Sequence, residues 1–66
     1  MTPRDQAEVA LTHARAALRH LLAASAMAEG HGRELVRATG AASVLIAHLA
    51  DLVDVMDAEA RKGDGE

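Results

Sequence analysis

The chain has 66 residues, half of them hydrophobic, with no aromatic residue, no cysteine and a formal net charge of -3. So short a chain builds a marginal core and usually adds disulfides, a structural metal or oligomerisation; without cysteine, disulfides, iron–sulfur clusters, thiolate zinc sites and thiol nucleophiles are excluded. Its acidic balance, with Lys62 the one lysine and the arginines scattered, excludes a clustered phosphate-neutralising surface, so no nucleic-acid partner is expected.

The stretch MTPRDQAEVA has no basic segment followed by an apolar run, so it does not read as a secretory signal and a cytoplasmic location is expected. Its first residues spell a helix start instead. Thr2 offers a capping hydroxyl, Pro3 takes the first helical position where a missing N–H costs nothing, and Asp5 supplies an acid at the third. Helix 1 is expected over about 3–28, since no further breaker occurs before Gly30 and Gly32. Gly30 is expected to supply a left-handed C-cap and Gly32 to relax a turn over 29–32. Helix 2 is then expected over about 33–61, with 63–66 a flexible tail. Two helices, each about 40 Å long at 1.5 Å per residue and joined by a short turn, make an all-α antiparallel hairpin, a single domain over 1–62.

Apolar residues recur at alternating three- and four-residue steps in both helices. Ala7, Leu11, Ala14, Leu18, Leu21, Ser25 and Ala28 form the expected inward line of helix 1, with Leu22 beside it. Leu35, Ala38, Ala42, Leu45, Leu49, Leu52 and Met56 form that of helix 2, widened by Thr39, Ile46 and Val53. Alanine fills about a quarter of the chain, above average usage, and Ala10, Ala17 and Ala24 extend helix 1's apolar arc at seven-residue spacing. Gly40, set among Thr39, Ala41, Ala42 and Ser43, is expected to mark a close helix crossing or a kink, because glycine otherwise weakens a helix by about 0.8–1 kcal/mol relative to alanine.

The pattern exceeds what one hairpin can bury. At 100° per residue, Val9, His13, Ala16, His20 and Met27 share a side of helix 1 away from Leu11 and Leu18, and Val44, His48 and Val55 share a side of helix 2 away from Ile46 and Val53. The residues expected at protein interfaces are therefore Val9, His13, His20, Met27, Val44, His48 and Val55, together with Leu49, Leu52 and Met56 of the seam. A homodimeric four-helix bundle is the expected assembly, with a further protein partner open to the outer stripe. Histidine inside such a contact would make association pH-sensitive.

Chemistry is sparse. His13 and His20 are two turns apart, whereas helical metal ligands sit at i, i+3 or i, i+4; only His48 and Asp51 have that spacing, and two ligands do not make a site. Ser25 and Ser43 fall on expected core faces, and no nucleophile–base–orienter set can be assembled, so no catalytic, cofactor-binding or metal residue is assigned and no cofactor is expected. With the turn centred between the helices, His13 lies level with His48 and Arg4 with Asp57, so the acids of the 51–59 segment are expected to enter an intrachain or interchain ion pair, the alternative being a docking site for a basic partner. The apolar run from Ala38 to Ala50 contains His48 and stops at Asp51, short of the roughly 18–20 residues of a bilayer span, and no membrane partner is expected. The reading is a non-catalytic helical hairpin acting through self-association and protein contacts as an adaptor, regulator or assembly component; the alternative is a small metal- or ligand-binding bundle with histidine ligands.

Overall fold

The computed structural model describes residues 1–64, and the side chains of residues 1–62, as two helices, α1 (Pro3–Met27) and α2 (Gly32–Asp64), packed side by side in a body of 57 × 18 × 13 Å. The start of α1 follows from its cap. Thr2, in extended conformation, accepts the Asp5 backbone N–H on Oγ1 at 3.1 Å, and its own N–H donates to the Asp5 carboxylate at 3.4 Å. That closes a capping box, with Pro3 at the first helical position and the Gln6 N–H donating to the Thr2 carbonyl at 3.0 Å.

The turn is built differently from the glycine-capped one expected. α1 ends on Ala28, an extended cap whose N–H closes the last bond on the Ala24 carbonyl. Positive φ falls instead at Gly30, 154°, and at His31, 57°. Gly32 is the first residue of α2, and the first bond of that helix runs from the Leu35 N–H to the His31 carbonyl at 2.9 Å. A chain that reverses within four residues must aim a carbonyl back along the next helix, and a left-handed residue does so; histidine tolerates that region better than branched residues. α2 continues to Asp64, beyond the expected end near 61, with Arg61 and Lys62 in its last turn, where positive charge suits the helix dipole. Of the tail expected at 63–66, Gly63 and Asp64 are helical and the other two lie outside the described residues.

Ala7, Leu11 and Ala14 of α1 and Val53 of α2 are buried, and Ile46, Leu49, Ala50 and Met56 close over them. These positions lie toward the end of the hairpin that carries the N-terminus of α1 and the C-terminal half of α2. Leu18, Leu21 and Leu35 are half-buried nearer the turn, whereas Ser25 and Ala28, expected on the inward line, are exposed. The inward line of α2 is Leu35, Thr39, Ala42, Ile46, Leu49, Val53 and Met56. It is rotated one step from the expected one: Leu45 and Leu52 are 50% and 41% exposed, and Ile46 and Val53 take their place. The Arg4–Asp57 ion pair, with Nε 2.7 Å from Oδ1, is compatible with this line and not with the expected one. Asp57 lies one turn beyond Val53 on the same helical face, so pairing with Arg4 goes with an inward Ile46–Val53 line.

Candidate interaction surface

Arg4 makes the most connected polar cluster: Nε and Nη2 donate to the two Asp57 carboxylate oxygens at 2.7 and 3.2 Å, and Nη1 donates to Glu8 one turn along α1. The hydrogen bonds from Arg4 hold the Asp57 carboxyl below the usual carboxylate range, and Asp57 in turn raises the Arg4 guanidinium. Both side chains remain about one-third exposed, so this forked pair sets register and adds little stability. It is the pairing anticipated from the level of the two residues in the hairpin.

Ser25 and Ser43 both face solvent, contrary to the expected core placement, and the Ser43 hydroxyl donates to the Thr39 carbonyl at 3.0 Å one turn back. Thr39 carries the opposite problem, since its Oγ1 is buried with no hydrogen-bond partner. Within the hairpin Gly40 marks no close crossing: a Cβ built there meets nothing of the same chain within 4 Å, and α2 runs through it unbroken. His13, His20 and His48 are exposed, and among the described residues no group of three or more His, Asp or Glu side chains is placed to hold a metal ion. A shallow cleft beside the turn is lined by Ser25, Ala28, Gly30, Gly32, Leu35 and Val36, none of them titratable.

What the molecule does display is apolar surface. Among the described residues no large side chain is fully buried, while Val9, Leu22, Met27, Val36, Val44, Leu45, Leu52 and Val55 are all more than a third exposed. Of the expected interface residues, Val9, Met27, Val44 and Val55 lie outward, at 39%, 82%, 57% and 46% exposure, together with the three histidines. Leu49 and Met56 are half-buried and pack on the intrachain core, and Leu52 stands outside it. Because the α2 seam rotates toward Ile46 and Val53, the leucines that the three–four pattern had assigned to hairpin closure join the outer surface. Sequence periodicity signals that α2 is apolar on more than one side; it does not say which apolar line the hairpin takes.

The same surplus makes α2 pass a simple span criterion, contrary to the count made on the Ala38–Ala50 run: between Gly32 and Lys62 an 18-residue window reaches a mean hydropathy of 1.4 and is only 6% buried. By length and composition alone the helix could cross a bilayer. Any such window has to take in charged or titrating positions from His48, Asp51 and Asp54, and an aspartate at mid-bilayer costs about 2.5–3.5 kcal/mol on insertion scales. No family model, curated protein or solved structure matches the chain.

Proposed function

We propose that this chain is a non-catalytic helical hairpin that works by self-association, forming a homodimeric four-helix bundle that serves as an adaptor, regulator or assembly component. The observation that carries the reading is the exposure of Leu45 and Leu52 beside a core of only four buried residues among those described. The accessible surface, 5073 Å², compares with about 4,000 Å² for a compact monomer of this mass. The radius of gyration, 15.7 Å, compares with about 11 Å for a compact chain of this length. An excess of about 1,000 Å² is the scale of what one partner gives up in a standard interface, about 800 Å². The chain has no cysteine for a disulfide and, among the described residues, no His/Asp/Glu group of three or more placed for a metal, which favours association as the route to a stable fold. The outer stripe of Val9, Met27, Val44 and Val55 then remains for a further copy or a second protein.

Sedimentation equilibrium at micromolar concentration tests the proposal, run alongside flotation with anionic lipid vesicles. A dimer mass in buffer, with no protein floating, is expected. A folded monomer, or a monomer that partitions into the vesicles, overturns it.

A further inference from the structure

We infer that the second copy docks on one particular broad face of the hairpin, with α1 of each chain lying against α2 of the other. This inference rests on the proposed self-association and specifies its geometry. The two broad faces of the hairpin differ sharply. At 100° per residue, and with the inward lines of the helices turned toward each other, Arg4, Glu8, Arg15, Arg19, Asp54 and Asp57 fall on one broad face. Ala10 and Ala17 of α1 and Leu45 and Leu52 of α2 fall on the other, all of them exposed. The first face carries most of the charge, with Leu22 and Val36 exposed among it toward the turn, and the other, apart from Glu34 near the turn, presents a pair of parallel ridges, small on α1 and large on α2.

The ridges match in spacing and in level. Each repeats every seven residues, the period at which knobs of one helix enter holes of another. With the turn centred near residue 30.5 and Arg4 in contact with Asp57, residues whose numbers sum to about 61 lie roughly level, so Ala10 is near the level of Leu52, and Ala17 near that of Leu45. A two-fold axis parallel to the long axis of the hairpin preserves these levels. It sets the alanine ridge of one chain against the leucine ridge of its partner twice over, as an isologous contact requires. Every helix then has antiparallel neighbours, as in an up–down four-helix bundle. Two-fold axes that instead stack α1 on α1 set alanine on alanine and leave voids, while leucine on leucine crowds the other half. The face measures 57 by 18 Å, a footprint on the order of 1,000 Å², enough for a standard interface.

Because the chain contains no cysteine, single cysteines report the arrangement without background. The variants Ala17→Cys and Leu45→Cys are made separately, checked for helicity by circular dichroism, mixed and oxidised. The expected product is the mixed 17–45 disulfide, formed at least tenfold faster than 17–17 or 45–45. The pair Ala10→Cys and Leu52→Cys repeats the measurement one heptad away, in case one substitution perturbs folding. A predominance of 17–17 or 45–45 overturns the α1-on-α2 arrangement. If the unsubstituted chain sediments as a dimer and neither mixed pair forms a disulfide, this face is wrong while self-association stands; if it sediments as a folded monomer, both readings fail.

Discussion

Thr39 and Asp57 show two polar residues met in opposite ways. The Thr39 hydroxyl is buried without a partner, so it carries a desolvation cost that no hydrogen bond offsets. Valine has nearly the same shape and the same stiffness in a helix. Thr39→Val is expected to raise the unfolding free energy by about 1 kcal/mol in urea denaturation, at the lower end of the cost of an unsatisfied buried group; a loss of stability would mean the hydroxyl has a partner in solution. Asp57 is instead held ionised by the hydrogen bonds from Arg4, so its carboxyl titrates below its unfolded value, near 3.9. Its contribution is complete above that value and is lost as pH falls through the lower folded-state value. The melting temperature should therefore fall between about pH 5 and pH 2, less steeply in Asp57→Asn and less steeply at high salt. An identical acid profile in Asp57→Asn would show that the pair does not persist in solution.

At the scale of the helices, α1 was legible almost to the residue, because Thr2, Pro3 and Asp5 each perform a distinct job at a helix start and the Ala7–Leu11–Ala14 line keeps the three- and four-residue spacing of an inward face. The turn was legible in position but not in detail. Glycines at 30 and 32 suggested where the chain relaxes, yet the left-handed residue that aims α2 is His31, and nothing in its identity required that. The α2 seam was legible only as a pair of adjacent choices. Leu45–Leu52 and Ile46–Val53 are both apolar at the right spacing, and local pattern cannot choose between them; the line taken is the one that goes with a contact 53 residues apart in sequence, Arg4 to Asp57. At Gly40 small neighbours suggest a crossing, and the packing of α1 on α2 leaves open space there, so any crossing would have to involve another chain. Gly40→Ala should accordingly stabilise α2 by about 0.8–1 kcal/mol without changing the assembly mass. A destabilised Gly40→Ala would restore the idea that another backbone approaches there.

For the whole molecule, the issue is how a four-residue core sustains two long helices. Isolated helices owe most of their stability in proteins to packing of an apolar face, and here much of that face lies outside the hairpin. The outer surface divides into two parts that substitutions can separate. Leu45→Glu with Leu52→Glu should abolish dimerisation and much of the helicity. Val44→Glu with Val55→Glu, at positions 57% and 46% exposed on the outer edge, should leave both the dimer mass and the circular dichroism spectrum unchanged; unfolding of the valine variant would place those residues in the primary core. The central claim, that folding and self-association are one event, is tested most directly by the melting temperature as a function of protein concentration. Followed by circular dichroism from about 1 to 100 µM, the midpoint should climb by several degrees per tenfold increase, because mass action stabilises a dimer whose monomers are not folded alone. A cooperative transition at one temperature across that hundredfold range would contradict it and make the hairpin a self-sufficient monomer.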